Sequence, residues 1–387
     1  MALKEKILFT TIPLSDREKK NLLFLGLIRK RKAISRTEIS KLTGANIVTV
    51  SNYINGYLKK GLVIEGGYDI STGGRRPELV ELKRDWGYVL GVDIGEKDIK
   101  GILADLGMKI LADESIRGYK KENLKFCIEE ILKKLTEGSK VDKTQIKKIG
   151  IGISENSGNV MEEVIKMKDA IEEKIKIPAL IADGVLCAAS GEKSLNPEAM
   201  EAPNVLYVYT DLGEAIFIKD DEFYEQATEG SPESNRRTDE GGDYAYLRPW
   251  DQSLSIVNEA KRIIEGGIGS KIVSLSKGDV KNVTMETVIE AAREHDEIAI
   301  DLLKVSAMNL AVRIAYLVNS FEPKVIIIGG GIEKAGKLFL EPLTSSINRF
   351  ILQRILDKIK VTPAILEEAA CVKGGASLAI REVFVEA

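Results

Sequence analysis

The stretch ISRTEISKLTGANIVTVSNYINGYLKKGLVIEGGYDISTGGRRPELVEL, residues 34–82, decides how the N-terminal part of this chain folds. Ser35 opens a helix as a capping box with Glu38: its hydroxyl is placed to accept the Glu38 N–H while the Glu38 carboxylate reaches back. Ile39 and Leu42 supply the buried side of that helix, and Gly44 breaks it. Asn46 is placed to cap a third helix, on which Ile47, Val50, Ile54 and Leu58 recur at helical spacing. Thr49, Ser51, Asn52 and Asn55 project from its other surface. Gly61 ends the helix. Two short apolar strands, Leu62–Ile64 and Leu79–Leu82, then flank a turn-rich stretch from Gly66 to Pro77, which predicts a β-hairpin with a basic tip.

Helix, turn, polar helix and hairpin in this order predict a winged helix-turn-helix, with a three-helix interaction domain as the alternative. The third helix presents short polar side chains that can bond base edges in a major groove. Arg75 and Arg76 at the hairpin tip can reach phosphates or a narrow minor groove. The candidate DNA contacts are Ser35, Arg36, Asn46, Thr49, Ser51, Asn52, Arg75 and Arg76. Upstream, Asp16 to Lys32 reads as a helix with Leu22, Leu23, Leu25 and Ile28 on its apolar face, and its basic end suits the partial negative charge of a helix C-terminus.

Charge supports the same division. Residues 1–84 hold 17 Lys and Arg against 8 Asp and Glu, a net of +9, so within a total of −3 the remaining 303 residues carry −12. A basic head on an acidic body fits a polyanion-binding module joined to a domain with another task. At 387 residues the chain exceeds what one core usually supports. No apolar run reaches the length needed to span a bilayer and no signal-peptide pattern is present, so the expected location is the cytoplasm. Cys127, Cys187 and Cys371 are far apart, without metal-ligand spacing, and read as free buried thiols. Abundant Lys and Glu with a single His resemble proteins from hot environments.

From Trp86 onward strands and helices alternate. Strands are predicted at Tyr88–Ile94, Ile99–Asp105, Ile149–Ile153, Ala179–Ala182, Tyr207–Ile218 and Val325–Ile328, with helices around Leu124–Leu135 and from Cys187. The pattern is α/β: mixed sheets with covering helices, split between two lobes. The expected domains are residues 1–84, 85–200 and 201–387.

At this point the chain resembles the ROK family of sugar-responsive repressors and sugar kinases. The resemblance rests on Ser35–Gly44, Val50-Ser51, Gly61–Val63 and Gly73–Pro77 in the N-terminal module. It continues through Gly91–Gly95, Ala182–Gly184, Ile328–Ile332 and Lys373–Ser377. It covers nearly the whole chain, best at the N-terminus and worst in the centre. It implies a winged helix-turn-helix followed by a two-lobed actin-like ATPase (ribonuclease H-like) fold. It also implies a part for Asp183, the family's catalytic base position, as the polar anchor for a sugar. Asp93, Gly95, Gly329, Gly330 and Gly331 fall where family kinases hold a nucleotide.

Departures from the family pattern qualify the chemistry. Where the kinases have Asp-x-Gly-Gly-Thr, whose backbone N–H groups approach phosphates, this chain has Asp93-Ile-Gly95-Glu96-Lys97. The second phosphate loop is reduced to Thr210-Asp-Leu-Gly-Glu214. Acidic groups there repel a triphosphate. Gln226–Asp243, where the family's zinc-binding His and Cys cluster falls, has neither residue type, and His295 reads as a surface residue. No cofactor and no metal are expected, with ATP and magnesium only under a kinase alternative. The connection from Gly158 to Ala182 looks short and lacks a recognisable sugar contact. Gly329–Gly331 admits two readings, ligand approach or tight packing, and Asp183 read without the resemblance is a helix cap. The expectation is a regulator, most simply a repressor, that binds an inverted-repeat operator as a homodimer and answers to a mono- or oligosaccharide. An ATP-dependent sugar kinase and a regulator without a small-molecule effector remain the alternatives.

Overall fold

Ser15 closes a capping box with Glu18 and starts α1 (Asp16–Arg31), whose last turn carries Arg29, Lys30 and Arg31. Its inward face is Leu22, Phe24, Leu25 and Ile28. This corrects the sequence reading at one position: Leu23 is exposed, and Phe24, a turn before Ile28, takes its place. The strand β1 (Ala33–Ser35) leads into α2 (Arg36–Thr43), which ends at Gly44 in a left-handed conformation. Ile39 is buried on α2, but Leu42 points to solvent, being about 60° round the helix and in its final turn. Helix α3 (Ile47–Lys59) buries Val50, Ile54 and Tyr57. Ile47, expected inside, is exposed on the first turn, and Tyr57 fills the inner position of the last. The strands β2 (Val63–Tyr68) and β3 (Glu78–Leu82) pair antiparallel, and β1 adds to β3, so the three helices carry a three-stranded wing sheet.

The computed structural model describes residues 14–68, 78–139, 141–154, 158–210, 214–219, 221–224 and 256–387. The chain divides into two units, Met1–Ser194 with Glu368–Ala387, and Leu195–Glu367. In the first, β4 (Tyr88–Ile94), β5 (Asp98–Asp105) and β6 (Ile110–Arg117) form an antiparallel meander. To this β7 (Ile146–Ile153) and β8 (Ala179–Asp183) add in parallel, giving the order β6-β5-β4-β7-β8. Helices α4 (Leu124–Gly138) and α5 (Gly158–Ile175) cover one face through Ile128, Ile131 and Val164 against Leu90, Val92 and Ile151. A further helix, α6 (Gly184–Leu195), follows β8.

The opposite face takes the C-terminal helix, Ala370–Val385. Its approach explains the Lys373–Ser377 motif in packing terms. A Cβ on Gly150 would stand 1.9 Å from the Gly375 carbonyl oxygen, and one on Gly374 would stand 1.7 Å from that of Cys187. Backbone rests directly on backbone, which only glycine permits.

The second unit repeats this plan. Strands β9 (Asn204–Tyr209), β10 (Glu214–Lys219) and β11 (Glu222–Tyr224) run antiparallel. Strands β12 (Val325–Gly329) and β13 (Lys360–Pro363) then add in parallel, in the order β11-β10-β9-β12-β13. The run Tyr207–Ile218 is thus two strands of a hairpin rather than one. The core here is Leu206, Val208, Ile326 and Ile328 against helices that include Met285–Arg293 and Glu297–Phe321. Two lobes with one strand order, preceded by a winged helix-turn-helix, give the α/β actin-like architecture. Among the described residues no helix is long and apolar enough to cross a membrane.

Candidate functional site

The candidate DNA interface is built on α3. Asn46 caps it, its Oδ1 accepting the Val48 N–H at 2.8 Å, and remains exposed, as do Asn52 and Asn55. Thr49 and Ser51 are half-buried. Arg36 spans the module: one guanidinium nitrogen bonds Glu78 at 3.0 Å and the other donates to Asn55 at 3.4 Å, tying α2, α3 and the wing base together. Ser35 is buried, and its hydroxyl accepts the Glu38 N–H at 3.1 Å, so the structure spends it on the start of α2. Arg75 and Arg76 lie outside the described residues. Sequence reasoning missed Val48, which at 63% exposure is the most exposed large apolar side chain of α3. The signal was available, since Val48 lies off the stripe of Val50, Ile54 and Tyr57. An apolar side chain on the first turn of a recognition helix is suited to a thymine methyl group.

The second group of predicted residues lies at the carboxyl ends of parallel strands, where α/β sheets usually hold ligands. The register sets Ile94 opposite Ile153 and Ile153 opposite Asp183. Asp93 and Asp183 thus sit about 10 Å apart, two strand spacings. Asp183 is exposed as a residue and caps α6, its Oδ1 accepting the Val185 N–H at 2.7 Å. The protein around it raises its carboxyl above the ordinary range, against the pull of the N–H groups of Val185, Leu186 and Gly184. Capping and ligand anchoring are compatible for a carboxylate with two oxygens.

Asp93 is different. It is buried, accepts the Ser154 hydroxyl at 2.7 Å and bonds the Cys371 thiol, and burial pushes its carboxyl up. Cys371 in turn bonds Cys187 on α6, and that bond, together with burial, raises its thiol well above the usual range. All three cysteines are buried and free. A carboxylate held by a hydroxyl and a thiol is poorly placed to receive a metal-bound triphosphate. Glu96 and Lys97 are exposed beyond it, and the N–H of Gly95 closes the turn onto Asp98 at 2.9 Å.

In the second unit, a Cβ on Gly329 would stand 2.7 Å from the Tyr207 hydroxyl, so tight packing accounts for that glycine. Gly330 and Gly331 have φ of 89° and 88°, a turn geometry that favours glycine. Thr210 donates its hydroxyl to the Gly329 carbonyl at 2.8 Å, and residues 211–213 lie outside the described residues. Gln226–Asp243 also lies outside them. His295 is exposed at the turn before the helix Glu297–Phe321.

One connection was not legible in the sequence. Within the first unit the C-terminal helix runs from Cys371, beside Asp93 and α6, to the winged helix-turn-helix. There the Asn21 amide donates to the Val385 carbonyl at 3.2 Å, and the Tyr57 hydroxyl of α3 donates to Asn21 Oδ1 at 2.8 Å. Asn21 and Tyr57 are both buried. Lys60, just past α3, reaches the Ala387 carbonyl at 2.5 Å, and Lys148 of β7 pairs with Glu386.

Residues 267–382 match the profile of the ROK family. A xylose repressor of Caldicellulosiruptor bescii is 29% identical over 385 residues, covering 94% of this chain and 95% of its own. Among solved structures, a ROK family transcriptional regulator, a homolog of the Escherichia coli MLC protein, aligns with a TM-score of 0.67 at 18% identity over 95% of this chain and 97% of its own. A ROK family glucokinase from Streptomyces griseus aligns with a TM-score of 0.56 at 21% identity, covering 99% of its own chain but 76% of this one. The fold is therefore shared with regulators and kinases alike, and the match to the regulator extends over more of this chain.

Proposed function

We propose, from the premise that this chain carries a ROK family domain behind a winged helix-turn-helix, that it is a sugar-responsive transcriptional regulator, a repressor that releases its operator when a saccharide binds. The observation that carries this reading is the connection just described. The lobe bearing Asp183 and the helix bearing the candidate base contacts belong to one unit, joined through Asn21 to the end of the C-terminal helix. A ligand that changes the seat of α6 acts on Cys187, on the C-terminal helix beneath it, and so on the footing of α3. Such coupling requires the ligand to prefer one arrangement over the other.

In this reading the protein works in the cytoplasm as a dimer on an inverted repeat, as helix-turn-helix proteins commonly do. Asn46, Val48, Thr49 and Asn52 read bases, while the wing, with Arg75 and Arg76, holds the backbone. Asp183 anchors the saccharide by accepting hydrogen bonds from its hydroxyls. Xylose is the first effector to try, because the relative that matches over most of this chain is named a xylose repressor. Phosphoryl transfer is left out of the reading because Asp93 is sealed by Ser154 and Cys371 and Glu96 stands in the phosphate turn. The test is a gel-shift selection of operator fragments with the full chain and with a chain lacking residues 1–84. Retained sequence-specific binding without those residues overturns the assignment of the module.

A further inference from the structure

Two of the three cysteines meet inside the first unit, and the function proposed above leaves their chemistry unused. Cys187 lies in the first turn of α6, and Cys371 lies in the first turn of the C-terminal helix. Both are buried and free, and their sulfurs converge on one point of β7. A Cβ on Gly152 would stand 2.5 Å from Cys371 Sγ, 2.9 Å from Cys187 Sγ and 3.3 Å from Cys187 Cβ, so glycine there leaves the room that the two sulfurs fill. The backbones are equally close. Gly374 follows Cys371 by about one helical turn, and its Cβ would stand 2.9 Å from Cys187 Cα. Helices seated in this way suit the separation of about 4.4–6.8 Å between Cα atoms that a disulfide spans. Cys127, on α4, belongs to the core on the opposite face of the sheet.

We propose that Cys187 and Cys371 form a redox pair, closed to a disulfide by a peroxide, and that the bond locks α6 against the C-terminal helix. The chemistry balances with hydrogen peroxide as the oxidant. The Cys187 sulfur attacks one peroxide oxygen, the O–O bond breaks, and a sulfenic acid and one water result. The Cys371 sulfur then attacks the Cys187 sulfur, the S–O bond breaks, and a second water leaves. Two thiols have thereby given two electrons and two protons to the peroxide. The Cys371 proton has an acceptor in place, because the thiol bonds the Asp93 carboxylate, which can pass the proton to the departing hydroxide. In a reducing compartment the pair rests as two thiols, so the bond marks oxidising conditions. Its consequence follows from where the two helices lead. Helix α6 starts at the Asp183 cap, and the C-terminal helix reaches Asn21 and the recognition helix through Val385. A covalent bond between them removes the freedom on which release by a saccharide depends, a consequence that rests on the regulator reading.

The test treats the full chain, reduced and then freed of reductant, with hydrogen peroxide, and follows it by thiol titration after unfolding and by peptide mass mapping. Free thiols should fall from three to one, with the peptides of Cys187 and Cys371 joined and Cys127 still open to alkylation. Dithiothreitol should restore all three. Cys187→Ala and Cys371→Ala should each abolish the cross-link, and the wild-type thiol count decides the matter even if a variant fails to fold. Operator release by the effective saccharide, at least about fivefold in the reduced protein, should shrink below about twofold in the cross-linked protein and return on reduction. Cys371→Ala should keep its saccharide response after peroxide. Thiols that stay free, or that end as sulfinic acids without a cross-link, overturn the proposal. So does a cross-linked protein that answers to the saccharide as the reduced one does. If the cross-link forms while the reduced protein answers to no saccharide, the redox pair stands and the regulator reading falls.

Discussion

Tyr57→Phe removes a single atom from the joint between the recognition helix and the rest of its unit. The Tyr57 hydroxyl donates to Asn21 Oδ1 at 2.8 Å, and the two side chains are 3% and 2% exposed. The ring contacts remain, since Phe keeps the edge-on packing against Tyr53 at 6.2 Å. What changes is that Asn21 Oδ1 loses its donor in a place water does not reach. A buried hydrogen bond is worth about 1 kcal/mol net, and an acceptor left unsatisfied costs about 1–3 kcal/mol. We therefore expect a loss of about 2 kcal/mol, read as a lower urea midpoint with an unchanged slope. Amide exchange in α1 and α3 should accelerate by a similar free energy. Operator affinity without sugar should change little, because no base-facing residue is touched, while release by sugar should weaken. A stability change below about 0.5 kcal/mol, the scatter of ordinary surface substitutions, would refute the joint as a mechanical connection.

Other expectations follow from the same contacts. Burial raises the Tyr57 hydroxyl above its ordinary value near 10, so the folded state keeps a proton that the unfolded chain releases. Wild-type stability should then fall as pH rises above 10 relative to Tyr57→Phe, and parallel alkaline denaturation curves would contradict this. Val48→Ala should weaken the selected operator by about 1 kcal/mol, the low end for one base contact, with nonspecific binding and its salt slope unchanged. Equal weakening of both would remove Val48 from base reading. Gly150→Ala sets a methyl group 1.9 Å from the Gly375 carbonyl and should destabilise by about 3 kcal/mol or more, in contrast to Gly118→Ala, where space is open although φ is 67°. A coupled assay with glucose, xylose and ATP should show no turnover in the usual enzyme range of about 1–1000 per second, and turnover in that range would restore the kinase alternative.

Much of the fold is legible because its signals are local. Ser35 and Asn46 cap helices as expected, and Gly44 ends α2 in the left-handed conformation that glycine accepts without strain. The strands that carry Asp93 and Asp183 lie where their apolar runs put them. Failures came where a helix has two plausible faces: Leu23, Leu42 and Ile47 are apolar but lie outside the buried stripe, and Tyr57 is inside because its hydroxyl finds Asn21. Long-range pairing was beyond reach. Nothing in the sequence shows that Cys371 meets Asp93 and Cys187, or that Lys373–Ser377 reflects backbone resting on backbone. At Asp183 the two sequence readings meet, since the residue is a helix cap and also stands at the sheet edge where a ligand anchor would be.

The measurement that tests the central claim most directly is operator binding followed by fluorescence anisotropy while saccharides are added, beginning with xylose and continuing through aldopentoses, aldohexoses and disaccharides. The account predicts that one saccharide lowers operator affinity at least about fivefold, the lower end of ordinary allosteric coupling. It predicts also that the same saccharide raises the melting temperature, and that Asp183→Ala diminishes both responses while leaving sugar-free affinity intact. An operator complex indifferent to every saccharide, or a full response in Asp183→Ala, would contradict it.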